Sequence, residues 1–505
     1  MTAAEELGAT LERPLAGRRD ATAIRVRCLR AAFSFPAMLS VSFCLLMLLT
    51  VRGRFDDPDM WWHLKVGEII WNSHSIPRTD QFSYTTNQHS WLPHEWLSQL
   101  AMYAAYRAGG YTGLWCCLFG LAALLLVSVY WLCSLYSGNS KLSMLGGLVA
   151  WFFGTVGLAV RPLILGHLLL VVEVLILHLA RSRGRAWLWA LPPLFALWVN
   201  CHGSYALGII VLGIAVTCSF ISLRAGRLFS IRREPQECRA LCVVFLMCLA
   251  ALMINPVGPK LLSYPLNTFT QQAEGLAQVS EWQPTDIANP RGAGFFALAG
   301  AFALIFLLRP VQLELEGLLL LLVGFAMALQ HVRLLFAFGI LAAPILCRLL
   351  ADVWDHYDPD HDNRAANALL ITAAIVVMIC AFPNRSNLEQ QVRDHSPAAA
   401  VEFLRQTAIS GPMLNEYEWG GYLIWALPEQ KVFIDGRGDV FDWTGVFSEY
   451  GRWATLQEDP EILLNKYRIH FCLLRAASPM ARVLPYLPGW QNVYTDSQAV
   501  VFARK

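Results

Sequence analysis

Residues 54–96, RFDDPDMWWHLKVGEIIWNSHSIPRTDQFSYTTNQHSWLPHEW, decide how the rest of the chain is read. This is the densest polar and aromatic run of the first half, and it lies between an apolar segment and a long apolar remainder. Asp56, Asp57 and Asp59 crowd together, Trp61 and Trp62 follow, and His63, Asp80, His94 and Glu95 come after. Carboxylates this close repel one another, so at least one holds its proton unusually tightly unless a cation or substrate neutralises the group. Such a cluster suits a general base, with Asp57, Asp59 and Asp56 as the catalytic candidates. It also suits a metal: Asp57 and Asp59, with Glu95 or His94 beside them, offer ligands for Mg²⁺ or Mn²⁺. The tryptophans suit a water–hydrocarbon boundary. A plainer reading places Asp59 as the N-cap of a helix starting at Met60.

Outward from this loop the chain is apolar. Of 505 residues 56% are hydrophobic and 15% charged, which predicts a polytopic membrane protein. A net charge of +2 leaves no basic excess for a polyanion, which excludes nucleic acid as a partner. The 13 cysteines fall mostly in apolar runs and form neither a disulfide framework nor a CxxC site. Apolar runs predict spans near 31–51, 111–136, 141–160, 163–180, 186–200, 204–223, 239–254, 293–308, 312–329, 332–349 and 366–382, about eleven in all.

Arg13, Arg18, Arg19, Arg25, Arg27 and Arg30 precede the first span, while Arg181, Arg183 and Arg185, then Arg224, Arg227, Arg232, Arg233 and Arg239, fill two later loops. The positive-inside rule then makes residues 1–30 a cytoplasmic segment and 31–382 the transmembrane domain. It places the 52–110 loop and everything after Phe382 outside, in the periplasm of a bacterial inner membrane. The loops that fall outside hold the unusual polar residues: Arg161, His202, Lys260, Glu281, His331 and Arg333. With His63, Asp80, His94 and Glu95 these are the candidate substrate-binding groups, since ionisable residues gathered on one leaflet line a cavity or a path.

Trp61–Trp71 and Trp96–Tyr106 space their apolar residues as amphipathic helices lying in the interface, with turns at Ile76-Pro77 and at Asn87–Ser90. From Pro383 the composition becomes that of a soluble α/β domain, 383–505. Helices are expected at 397–408, 421–427 and 459–467, strands at 412–415, 431–434 and 470–474, and a hairpin at 490–494 and 499–503. Asn415, Asp435 and Arg437 stand at strand ends, where open α/β sheets present ligand-facing residues. Asp435 and Arg437 join the substrate-binding candidates.

A long acidic first loop, interfacial helices, many spans and a C-terminal outer domain together resemble the GT-C superfamily of integral-membrane glycosyltransferases. The sequence resemblance rests on DDPDMWWHL with IPRTDQFSYT and WLPHEWL, on LWVNCHGSYALG, and on NEYEWGGYLIW followed by VFIDGR. It implies an α-helical polytopic fold and a polyprenyl-phosphate-linked sugar donor. The carboxylate at Asp57 or Asp59 would then serve as base on the acceptor or as metal ligand. The acceptor would be a lipid, a protein or a glycan. This chain reads Asp-Pro-Asp where the protein mannosyltransferase branch has adjacent Asp-Glu. Inverting transfer needs a carboxylate to take the acceptor's proton and cations beside the departing phosphate. The alternatives are a lipid or glycolipid flippase and a non-catalytic subunit of cell-envelope assembly. A carrier would place ionisable groups at span midpoints, and here those are largely bare, with Glu173 one exception.

Overall fold

Several apolar runs carry at their ends the residues that start and stop a helix. Ser34 and Pro36 open Phe35–Val51, the Ser34 hydroxyl accepting from Ala37 N–H at 3.3 Å. Asn139 caps Ser140–Gly154, and Gly138, left-handed at φ 64°, closes the helix before it. The computed structural model describes residues 28–86, 89–155, 157–262, 264, 279–351, 358–407, 409–442 and 444–505. Most of the N-terminal arginines, the middle of the 255–289 loop and Asn87 therefore lie outside the described residues.

Among the described residues, apolar helices occupy Phe35–Val51, Trp96–Ser137, Ser140–Gly154, Leu163–Arg183, Leu191–Cys201, Tyr205–Ser219, Pro235–Ala251, Pro290–Leu308, Leu315–Gln330, Leu335–Leu349 and Arg364–Ala381. Every expected span has a counterpart here. Five stretches are long and apolar enough to cross a bilayer unaided: Trp96–Ser137, Leu163–Arg183, Pro290–Leu308, Val332–Leu349 and Arg364–Ala381. The others are shorter because the chain leaves the helix early, as at Cys201, where His202 turns extended.

Side-chain contacts sort the helix ends. At one end Asp362 accepts from Phe35 N–H, Arg181 and Arg348 reach Glu314 at 3.1 Å, and Arg233 reaches Glu316 at 3.3 Å. A small sheet of Leu223–Ala225, Leu228–Ser230 and Leu313–Glu314, absent from the sequence reading, ties two loops together there. The opposite end gathers the 52–95 loop, Arg161, His202, Glu281, Arg333 and the C-terminal region.

The Met60–Ser73 helix forms as expected but does not lie exposed in an interface. It packs on the first turns of Trp96–Ser137 and on Gly420–Ala426, with Trp61 and Trp62 only 3% and 9% exposed. Trp61 meets Tyr111 and Tyr422 edge-on, so both tryptophans are core residues and not boundary anchors. Trp96–Tyr106 is continuous with the following span apart from a break at Gly109–Gly110, where Gly110 takes φ 59°, ψ −144°.

The C-terminal sheet runs Met413–Asn415, Phe471–Arg475, Ala499–Arg504, Trp490–Thr495, with the first pair parallel and the others antiparallel. The strand expected at 431–434 is an extended segment outside that sheet. Its backbone groups are satisfied by the first loop: Val432 N–H donates to Phe82 at 3.0 Å and Thr85 donates to the Phe433 carbonyl at 2.7 Å. The buried Asn415 amide completes the set, accepting from Phe433 N–H and donating to the Ile434 carbonyl, both at 2.8 Å. One apolar core therefore joins Trp62, Val66, Ile70 and Trp91 of the loop to the C-terminal sheet.

Candidate functional site

The polar residues singled out in the sequence fall into three groups on this end of the bundle. The first centres on Arg161, just before Pro162 opens the Leu163–Arg183 helix. Its Nε meets Asp57 Oδ2 at 2.5 Å, Nη2 meets Asp59 Oδ2 at 3.2 Å, and Nη1 meets Glu281 Oε1 at 3.2 Å. Asp57 Oδ1 accepts from Asp59 N–H at 2.9 Å, and Asp59 Oδ1 accepts from Trp62 Nε1 at 3.1 Å. Asp59 occupies the N-cap position but makes no capping hydrogen bond, because Trp62 and Arg161 hold its carboxylate. Burial raises the Asp59 pKa, Arg161 opposes the shift and Asp57 adds to it. Arg161 pays its own burial cost through Asp59, Asp57 and Glu281, which together keep it firmly charged. Asp56 points to solvent.

Glu281 links this group to Arg333, whose Nη1 lies 3.6 Å from Glu281 Oε2 and whose guanidinium covers Trp282 at 5.3 Å. The two short turns carrying them are laced together by Val332 N–H to the Gln283 carbonyl at 3.0 Å and by His331 Nδ1 to the Trp282 carbonyl at 2.7 Å. A divalent ion does not fit the Asp57–Asp59 pair as arranged, because the guanidinium of Arg161 occupies the position between the two carboxylates. Among the described residues no group of three or more His, Cys, Asp or Glu has metal-holding geometry.

The second group centres on Glu95, directly before the Trp96–Ser137 helix. His202 Nε2 lies 3.3 Å from Oε1, His94 Nε2 3.7 Å from Oε1 and His63 Nε2 3.7 Å from Oε2. The imidazoles are braced from behind: His63 stacks on Trp62 at 3.6 Å, His94 on Tyr264 at 4.1 Å, and His202 Nδ1 accepts from Ser204 N–H at 3.0 Å. Burial raises the Glu95 pKa to about 8, against the lowering influence of Arg333 and Arg161. Burial likewise drives His63 and His202 well below the usual imidazole value and His94 to about 4, with Arg333 reinforcing each shift.

The third group is a clasp between loop and C-terminal region. Arg437, fully buried, reaches Asp80 at 2.7 Å and Asp435 at 2.6 Å and lies over Trp91 and Phe82 at 4.7 and 4.9 Å. Burial pushes Asp80 upward, yet Arg437, Ser83, Thr86 and the Phe82 N–H outweigh it and hold the pKa below the ordinary carboxylate value. The clasp presses Gly436 against Asp59 and Gly421 against Pro58 so closely that neither has room for a Cβ. Lys260 is exposed.

Sequence reasoning missed Gln99, whose amide meets His63 Nδ1 at 3.1 Å, and the two glycines. The GG of NEYEWGGYLIW and the Gly of VFIDGR were the available signals, since backbone approached this closely requires glycine.

No family model matches the sequence, and no curated protein matches it. Solved structures do. The oligosaccharyltransferase of Archaeoglobus fulgidus tethered to an acceptor peptide containing the NVT sequon aligns over 92% of this chain and 74% of its own, at 12% identity and a TM-score of 0.53. The same organism's oligosaccharyltransferase AglB, in complex with an inhibitory peptide and a dolichol-phosphate, aligns over the same shares at 12% identity and a TM-score of 0.50. Likeness at this identity speaks to fold alone: the chain shares the fold of these oligosaccharyltransferase structures.

Proposed function

We propose that this chain is a membrane glycosyltransferase that moves a sugar from a polyprenyl-phosphate carrier to an acceptor, at the face of the membrane away from its arginine-rich loops. The observation that carries this reading is the pairing, at one end of a GT-C fold, of buried carboxylates with a guanidinium that keeps donors to spare. Among the described residues Arg333 makes a single ion pair, so most of its N–H groups remain available to an anion. A sugar leaving a lipid phosphate builds negative charge on that phosphate, and a fixed guanidinium is the group that stabilises it. Arg161, saturated by three carboxylates, sets the position of Asp57, Asp59 and Glu281 and through Glu281 that of Arg333. Of the fold neighbours, one was captured with a dolichol-phosphate and an inhibitory peptide and another with a tethered acceptor peptide, which supports a lipid-phosphate carrier here.

On this reading the N-terminus is cytoplasmic, the site and the C-terminal region lie on the periplasmic side of the inner membrane, and the acceptor's oxygen or nitrogen attacks the anomeric carbon with inversion. At Asp57 and Asp59 no step is routed through a metal, because Arg161 supplies the charge a cation would bring to these carboxylates. The test is incubation of the protein in nanodiscs with a panel of radiolabelled polyprenyl-phosphate monosaccharides, following release of label beside an Arg333→Ala variant. Release from one donor, lost in the variant, supports the reading. Intact lipid binding without release from any donor sinks it.

A further inference from the structure

We propose that Glu95, and not Asp57 or Asp59, takes the acceptor's proton, with His202 and His63 as its positioning residues; this deepens, and rests on, the glycosyl-transfer reading above.

The argument is one of lone pairs. Each oxygen of Asp57 and Asp59 already has its donor: Asp59 N–H and Arg161 Nε for Asp57, Trp62 Nε1 and Arg161 Nη2 for Asp59. A proton delivered to either would break an ion pair with a guanidinium that cannot give up its charge in return. Glu95 is different. Its carboxylate accepts no hydrogen bond from any described residue, and the three imidazole nitrogens stand 3.3–3.7 Å away, so both oxygens keep capacity for an incoming proton.

The surroundings are built to hold that state. Ser204 N–H donates to His202 Nδ1, which fixes the His202 proton on Nε2, facing Glu95 Oε1. Gln99 is 1% exposed and its Oε1 has no partner, while its amide faces His63 Nδ1 at 3.1 Å. Turning that amide over satisfies Oε1 with the His63 Nδ1–H. It also bares His63 Nε2 toward Glu95 Oε2 and opens a way onward for the proton.

The charged and titratable groups that bear most on Glu95 come from several elements. His63 comes from the Met60–Ser73 helix, His94 from the loop, His202 from the end of Leu191–Cys201, Arg333 from the Val332–Leu334 turn, Arg161 from its own loop, and Asp59 and Asp439 from either side of the clasp. Burial keeps the three imidazoles neutral near pH 7, so they orient the carboxylate without neutralising it. With its pKa raised to about 8, Glu95 is matched to proton transfer near neutrality.

In the step itself the acceptor's O–H oxygen attacks the anomeric carbon and its proton passes to a Glu95 oxygen. The bond between the anomeric carbon and the phosphate oxygen breaks, and its electron pair stays on the lipid phosphate beside Arg333. The products are the glycoside, the lipid phosphate and a protonated Glu95, which returns its proton to solvent.

The test is the pH–rate profile of label transfer by the full-length protein in nanodiscs, with whichever polyprenyl-phosphate monosaccharide of the panel above releases its label. The donor is a phosphodiester and adds no titration in this range. With Glu95 as base the rate climbs tenfold per pH unit below about 8 and levels above it. Glu95→Gln then loses about 10²–10⁴-fold in rate while still binding the donor lipid, and His202→Gln moves the profile's midpoint. A flat profile from about pH 6 to 9, or full activity in Glu95→Gln, overturns the assignment and leaves glycosyl transfer standing. An unaltered protein that transfers from no donor overturns both. The profile of the unaltered protein reads the same group without any substitution, so a misfolded variant cannot shield the proposal.

Discussion

Gly436→Ala is the substitution for which the structure gives the sharpest expectation. A Cβ on Gly436 would fall inside the contact radius of Asp59 Oδ1, 3.0 Å from Asp59 Cγ and 3.6 Å from Trp62 Nε1. One side must yield. The backbone at 435–437 is pinned by the Arg437 clasp, so the displacement falls on Asp59 and on its contacts with Trp62 at 3.1 Å and Arg161 at 3.2 Å. Overpacking of this kind costs about 1–3 kcal/mol. A shift of about 1 Å in the group that orients Arg161, Glu281 and Arg333 costs up to about 10²-fold in rate. Gly438→Ala is the control, since nothing lies within 4 Å of its Cβ. Thermal unfolding and initial rates of sugar transfer, measured for both variants in the same nanodiscs, give the answer. The reasoning is refuted if Gly436→Ala melts and turns over like Gly438→Ala.

Three further expectations follow from the same contacts. Arg437→Ala strands Asp80 and Asp435 in a buried pocket, and unfolding in denaturant should show a loss of about 3–5 kcal/mol with exposure of the loop–sheet core. Arg333 is 24% exposed and holds one ion pair, so Arg333→Ala should leave the melting temperature almost unchanged while lowering affinity for a polyprenyl phosphate, read by lipid binding in titrated nanodiscs. Glu95→Gln should alter stability with a definite sign. The folded pKa of about 8 exceeds the ordinary 4.5, so the native state binds the extra proton between those values and the unaltered protein loses stability as pH rises through that window. Relative to it, Glu95→Gln should gain a few kcal/mol by about pH 8 and nothing below about pH 4, measured as the difference in unfolding free energy.

The helices were legible in the sequence because each follows a local apolar run, several of them with Ser, Asn, Pro or Gly at an end. The same holds for the hairpin at 490–504 and for the strands at 413–415 and 471–475. What the sequence could not disclose is pairing across long separations. Asp57, Glu95 and Asp80 sit in one loop and look like one cluster, yet they join Arg161, His202 and Arg437 respectively, and so divide into three groups with different work. The segment at 431–434 has the composition of a strand and lacks a sheet, because Phe82, Thr85 and the Asn415 amide meet its backbone instead. The tryptophans at 61 and 62 depart from the sequence reading for a related reason: composition shows that a ring suits an interface, but only packing shows that Tyr111 and Tyr422 cover Trp61 and that His63 and Trp91 cover Trp62. The acid cluster calls for a neutralising charge, and the Arg161 guanidinium lies against both Asp57 and Asp59.

The measurement that bears most directly on the central claim is a cryo-electron microscopy map of the protein in nanodiscs with a polyprenyl phosphate. The account predicts phosphate density in contact with the Arg333 guanidinium, on the side facing Glu95, with the lipid tail running between the helices. Phosphate density at the opposite end of the bundle, among Arg181, Arg233 and Arg348, would contradict it.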